Sequence, residues 1–294
     1  SLLFWKYDIL FSYFYRYSFF AALLAKCFGK KTYFTGGIDS LDSDYASAFN
    51  YKIQALFFKL CYWVADSCII VSQSDLKNIF KVSSLKKKLS YSEHVINTKL
   101  FIADVPKEKI FTSIVWMGDE GNVVRKGVDK ALQIFAELKK IPEFVDYRFV
   151  IIGRKGEGEV LVRSIIDKYN LKGSVELKGE VSEEDKINLL KQSKYYFQLS
   201  LYEGFGLAAL EALCANNIII HSGKGGLANP IYKEQLLFDI DNDFDSELLK
   251  LVNKLACFTP ITSYDNLLEY YDIQRRKDDF EAIIVNGKSN YKLK

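Results

Sequence analysis

The densest chemistry in the chain lies between Ser200 and Glu211: Ser200-Leu-Tyr-Glu203-Gly204-Phe205-Gly206-Leu207-Ala-Ala-Leu-Glu211. The apolar run Tyr195–Leu199 ahead of it reads as a buried strand, and Gly206–Ala215 reads as a helix. A helix that opens directly after a strand of a parallel sheet turns its first N–H groups and the positive end of its dipole toward the ligand crevice. Glycines at 204 and 206 let the main chain approach a bound group closely. Glu211 is the sharper sign. Leu207, Leu210 and Cys214 trace an apolar arc of the helix, and Glu211 falls inside it. A carboxylate there costs roughly 2–7 kcal/mol unless something bonds it. Ligand hydroxyls, such as the two of a ribose, would serve. So would a Lys or Arg, with Glu203 then acting as a helix cap, and the spacing leaves both open.

These residues need a scaffold, and the text from Thr112 onward supplies one. Thr112–Met117, Tyr147–Ile152, Ser174–Leu177, Tyr195–Leu199 and Ile218–Ile220 read as strands. Between them, Val128, Ala131, Leu132, Phe135 and Leu138 recur at helical spacing, and Gly153-Arg-Lys-Gly156-Glu-Gly158 opens a helix that runs to about Tyr169. Ser182-Glu-Glu-Asp185 reads as an N-cap with an acidic first turn. Such alternation implies an α/β fold with a parallel sheet covered on both faces. The earlier part reads similarly: Lys31–Phe34 and Ser67–Val71 are strand-like, with a long apolar helix, Ala46–Val64, between them. No opening strand with a glycine-rich turn is expected before Lys31. The chain opens at Ser1 and its single methionine is Met117, so the first domain is expected to be N-terminally incomplete. The boundary is expected around Asn97–Lys109, giving a first domain over 1–105 and a second over 106–262.

Composition narrows the function classes. A length of 294 residues suggests two domains, and 49% hydrophobic with 26% charged residues excludes a disordered, collagenous or disulfide-scaffold chain. Five scattered cysteines without a C-x-x-C pair read as buried thiols of a reducing, cytoplasmic compartment. With only His94 and His221, no metal site and no Ser-His-Asp triad is expected. Residues 1–105 carry a charge balance of +5 and the remainder −2, and 13 of the 44 aromatics fall in the first 34 residues. That suits either core helices rich in Phe and Tyr or a surface that meets a membrane interface. A span is excluded: the longest charge-free run there, Tyr17–Ala25, is far short of about 20 residues. No signal peptide is read either.

Glu203 and Glu211 with seven residues between them, the Gly-Phe-Gly within and the following Gly225-Gly226 resemble the E-x7-E signature of retaining GT-B glycosyltransferases, and in particular glycosyltransferase family 4. Val124-Arg125-Lys126-Gly127-Val128-Asp129 is similar to the family's basic donor-phosphate segment. Val150-Ile-Ile-Gly153 with Gly156, and Val175-Glu-Leu-Lys-Gly179 followed by Glu183-Glu184, are similar to its next units. His94-Val-Ile-Asn97-Thr-Lys-Leu-Phe101 is similar to its interdomain segment. The resemblance implies two Rossmann-like domains facing a cleft, with a C-terminal helix over 263–294 returning toward the first. It implies transfer of a sugar from a UDP- or GDP-linked donor to a glycan or lipid-linked acceptor, with retention, no metal and no cofactor. Polysaccharide or lipopolysaccharide synthesis at the inner face of the cell membrane is the implied setting, with peripheral membrane contact and no nucleic acid as partner.

Carried over by residue, Glu203 would stabilise charge near the reacting carbon, Glu211 would hold the ribose, and Lys126 beside Arg125 would bind the diphosphate. Gly204, Phe205, Gly206 and Leu207 would line the donor, with the amides of Gly206 and Leu207 on its phosphates; Gly153 and Lys155 would complete the donor site. The chain has Asp119 where the family usually has Arg, and Asp39, after Gly36-Gly37, is the candidate for contacting acceptor or donor in the first domain. Asp42-Ser-Asp44, the alternating Asp239, Asp241, Asp243 and Asp245, and Lys86-Lys-Lys88 are set aside as turn and surface features. Two other classes fit the same residues: a non-catalytic nucleotide- or partner-binding GT-B-like protein, and another GT-B enzyme such as a phosphorylase or epimerase.

Overall fold

The computed structural model describes residues 6–13, 15–35, 41, 47–82, 87–102, 105–258 and 265–287. The chain packs as two compact units, one formed by residues up to Val95 together with those from Ile273 on, the other Ile96–Asp272. The division therefore falls at 95/96 and 272/273 instead of 105/106 and 262/263. The reason is local: Ile96 N donates to Tyr271 O, Thr98 Oγ1 donates to Asp272, and Phe101 is buried in the same cluster as Tyr271.

In the first unit β1 (Ile9–Ser12), α1 (Tyr15–Cys27), β2 (Lys31–Thr35), α2 (Ala48–Val64), β3 (Ser67–Ile70), α3 (Gln73–Val82) and β4 (Leu89–Tyr91) follow in order. Their strands form a parallel sheet in the order β1-β2-β3-β4, with Phe11 paired to Tyr33 and Phe34 to Cys68. A strand, β1, does precede Lys31, but it is not one with the glycine-rich turn that the sequence lacks there. It is four residues long and runs into the aromatic α1 through Ser12 and Tyr13, without a glycine turn to mark its end. β4 is hidden in the same way behind three lysines.

The second unit runs β5 (Glu108–Ile114), α4 (Glu120–Arg125), α5 (Val128–Leu138), β6 (Arg148–Ile152), α6 (Gly158–Lys168), β7 (Val175–Gly179), α7 (Glu183–Gln192), β8 (Ser193–Gln198), α8 (Leu207–Cys214), β9 (Ile218–His221), β10 (Leu236–Leu237), α9 (Phe244–Cys257) and α10 (Asp265–Tyr270). Its six strands are all parallel, ordered β10-β9-β8-β5-β6-β7. The last helix, α11 (Ile273–Asn286), packs in the first unit, where Ile283 is buried with Tyr33 and Ile69.

An aromatic ladder fills one face of the second sheet. Phe111 stacks on Tyr195 and Phe197 at 4.6 and 5.1 Å, and Phe149 meets Phe197 edge-on. β5 starts earlier and ends earlier than the apolar run Thr112–Met117. Its start is polar because Lys107 is drawn inward, where Nζ donates to the carbonyls of Leu190, Lys191 and Ala215 at the ends of α7 and α8. Val115 and Met117 have left the sheet but still bond Ile152 and Arg154. Ser182 caps α7 as its sequence implies, accepting from Asp185 N at 3.0 Å. Cys61, Cys68 and Cys214 are buried thiols, but Cys27 and Cys257 sit exposed at helix ends, which corrects the reading of all five as buried. Among the described residues no helix is long and apolar enough to cross a membrane.

Candidate functional site

β8 delivers the site. Its last residue, Gln198, is buried, and the loop beyond it carries Ser200 and Glu203 before Gly206 caps α8 in a left-handed conformation, φ 88°. Glu203 Oε2 accepts three hydrogen bonds: from Lys126 Nζ at 2.7 Å, Gln198 Nε2 at 3.1 Å and Ser200 Oγ at 3.2 Å. Gln198 is itself held, since its Nε2 also reaches Ser200 and its Oε1 accepts from Tyr196 OH. Beneath the loop, Gly226 N donates to Glu203 O.

Lys126 arrives from the other side of β8. α4 ends at Arg125, and Gly127 turns the chain into α5 at φ 70°. A Cβ at 127 would lie 2.0 Å from Leu199 O, so only glycine lets this joint lie against the β8 loop. Leu201 N donates to Arg125 O at 2.8 Å and locks the two loops together. The Lys126 and Glu203 side chains remain 22% and 15% exposed, open enough for a ligand to compete for the pair. Arg125 bonds Asn122 Oδ1 and has no ion pair among the described residues. Asp119 caps α4, accepting from Asn122 N at 2.6 Å, so a structural task occupies the position where an arginine was expected from the resemblance.

α8 begins beside Glu203. Gly206 offers no side chain to bond the first-turn amides, which leaves those of Leu207 and its neighbours as donors for an anion. Phe205 differs from expectation: its ring is buried near Tyr271, so only its main chain could meet a ligand. Glu211 sits one turn further on and its Oε1 accepts from Lys186 Nζ at 2.9 Å. Of the two partners left open for it, a cation is therefore present, and Lys186 also reaches Glu183 at 2.7 Å. Oε2 of Glu211 has no partner among the described residues. Burial holds the Glu211 carboxyl above its ordinary range, and Lys186 offsets part of that. The two carboxylates outweigh burial at Lys186 and raise its pKa.

The remaining sequence candidates are more peripheral. Gly153, at φ 134°, brings β6's end within 1.9 Å of Val115 O for any Cβ, a packing reason for its glycine. Lys155 is half exposed, in loose contact with Glu159 at 3.8 Å and lying over Gly179. Asp39 lies outside the described residues. The sequence reading overlooked Gln198, Tyr196 and Lys186. The buried polar residue ending the run Tyr195-Tyr-Phe-Gln198 was a usable signal, but nothing local marks Lys186 as a partner of Glu211.

The arrangement joins a carboxylate, an ammonium and free amides at the carboxyl end of a parallel sheet, the place where such sheets take phosphorylated ligands. Residues 121–256 match the model of the family described as glycosyl transferases group 1. Across 96% of its length the chain superposes on Anabaena HepE crystallised with UDP-glucose, at TM-score 0.77 and 12% identity, covering 79% of that chain. It superposes on sucrose-phosphate synthase of Thermosynechococcus elongatus at TM-score 0.70 and 21% identity, over 96% and 72%. The fold is therefore α/β of the GT-B type. The GDP-mannose:cellobiosyl-diphosphopolyprenol alpha-mannosyltransferase of Xanthomonas oryzae is 32% identical over 163 residues, 48% of this chain and 40% of that protein. A polypeptide of the human phosphatidylinositol N-acetylglucosaminyltransferase is 30% identical over 105 residues, 36% and 21% of the two chains. The chain spans less than half the length of these curated relatives.

Proposed function

We propose that this chain is a retaining glycosyltransferase that moves a sugar from a nucleotide-diphosphate donor to a lipid-linked or other glycan acceptor, without a metal ion. The observation that carries the reading is the Lys126–Glu203 pair, held at 2.7 Å beside the uncapped amides of α8. Lys126 and Arg125 receive the diphosphate and stabilise it as the sugar's C1–O bond breaks. Glu203 faces the charge that develops at C1, and the free oxygen of Glu211 takes a ribose hydroxyl while Lys186 holds its fellow. Gly204, Gly206 and Leu207 offer main-chain contacts to the donor, and Gly153 and Lys155 border it. Asp39 contacts the acceptor or donor sugar. The acceptor hydroxyl forms the new bond to C1 on the face the diphosphate leaves, and its proton passes to a leaving phosphate oxygen, so no dedicated base is required.

The relatives support the acceptor class, since one is named for a diphosphopolyprenol acceptor and one for phosphatidylinositol. Cell-surface polysaccharide or lipopolysaccharide synthesis at the inner face of the membrane is the setting this reading favours. Calorimetric titration with UDP and with GDP, each with Mg²⁺ and with a chelator, tests it. One nucleotide binds equally with and without metal, and Glu211→Ala weakens it by roughly 1–3 kcal/mol. If neither nucleotide binds, the donor assignment fails; binding without turnover on any sugar donor returns the chain to the non-catalytic class.

A further inference from the structure

We propose that the outward faces of α1 and α2 dock on the surface of an anionic lipid bilayer. Tyr15, Phe19, Ala22 and Ala25 bury one side of α1. At about 100° per residue, Tyr17, Phe20 and Leu24 fall on the opposite side. They are exposed there, Phe20 to 71%. On α2 the buried side is Phe58, Cys61 and Tyr62, and the outward side is Phe49, Leu56 and Trp63, spaced by two turns each and 72%, 55% and 70% exposed. The helices pack against each other, with the Phe19 and Phe57 rings 6.2 Å apart, and on each the exposed stripe lies opposite the buried side.

Charge decides the occupant. Neither helix carries an Asp or Glu. Lys52 and Lys59, each three residues after an apolar stripe position, are exposed and make no ion pair among the described residues. The nearby acids Asp66 and Asp8 are bonded to Lys26 and Lys30. Aromatic rings interleaved with long cationic side chains match a headgroup boundary, where rings sink to the acyl level and ammonium groups stay with phosphates. A protein-binding patch is typically depleted in lysine. The inference deepens the lipid-acceptor reading and rests on it for its purpose, but its geometry stands alone.

Vesicle flotation of the whole chain tests it, using phosphatidylcholine with and without phosphatidylglycerol, at low and high salt. The chain floats with the phosphatidylglycerol vesicles, less so at high salt. The pair Phe20→Ser with Trp63→Ser lowers partitioning at least roughly tenfold, while its thermal unfolding and nucleotide titration match the wild type. Lys52→Glu with Lys59→Glu removes the preference for anionic vesicles. Brominated lipid quenches the tryptophan fluorescence of the wild type more than that of Trp63→Ser, which keeps the other two tryptophans. Absence of vesicle binding by the folded chain overturns the proposal. So does undiminished binding by the aromatic pair variant, or self-association that this variant abolishes. Because nucleotide titration is read on the same samples, loss of vesicle binding with intact nucleotide binding sinks the surface alone, and the reverse sinks the donor site alone.

Discussion

Lys126 and Glu203 are 77 positions apart in the chain and 2.7 Å apart in space. Their ion pair leaves each partly committed, and a diphosphate beside Lys126 would compete with the carboxylate for the ammonium. Gln198 and Ser200 would keep Glu203 in place when that happens, because their bonds to Oε2 do not depend on Lys126. Glu203→Ala is therefore expected to cut turnover by at least about 100-fold with nucleotide binding near wild type, read by product formation alongside calorimetry. Undiminished transfer would remove Glu203 from the reaction. Type and spacing singled out Glu203 and Glu211 as candidates, and the family resemblance added Lys126. Lys186 was not legible, since it meets Glu211 from a neighbouring helix, and Gln198 was marked only as the polar residue that ends the run Tyr195-Tyr-Phe.

At the scale of elements, the joint between α4 and α5 positions the cation. Gly127 sits at φ 70° with Leu199 O where a Cβ would be, and Leu201 N bonds Arg125 O across the same gap. Gly127→Ala is expected to destabilise the chain by roughly 1–3 kcal/mol and to move Lys126 off Glu203, lowering turnover further than stability alone explains. Thermal unfolding and activity at a temperature where both proteins are folded separate the two. A variant indistinguishable in both would show that the joint yields freely. The longer helices of the second unit, such as α5 and α7, were readable from their 3.6-residue periods and caps, whereas the six-residue α4 was not. Nor were two short strands: β1 and β4 lack the run of β-branched residues that marks the equally short β9, and sheet pairing supplies what their sequences lack.

At the scale of the whole molecule, acid stability follows from two buried imidazoles. Burial pushes His221, at the end of β9, down to about 4, and burial with the adjacent Arg276 does the same to His94. The unfolded chain binds these protons near pH 6.5 and the folded chain does not. Stability is therefore full above about pH 6.5 and is lost as pH falls toward 4. His221 alone accounts for about 3 kcal/mol across that window. Urea unfolding at neutral pH and near pH 5 should show the fall, and His221→Phe should flatten it. An equal slope in that variant would contradict the assignment.

Periodicity and caps sufficed for the α/β class and the parallel sheet of the second unit, because those signals are local. Residue type and spacing singled out the two carboxylates as candidates, and the family resemblance singled out the basic segment. Only the tertiary structure decided that Lys126 meets Glu203, that Lys186 meets Glu211 and that Phe205 turns inward. It alone also parted the units at 95/96 and brought α11 back to the first. Each of these is a contact between segments distant in the chain, fixed by which buried faces must close against one another, and no window of sequence contains both partners.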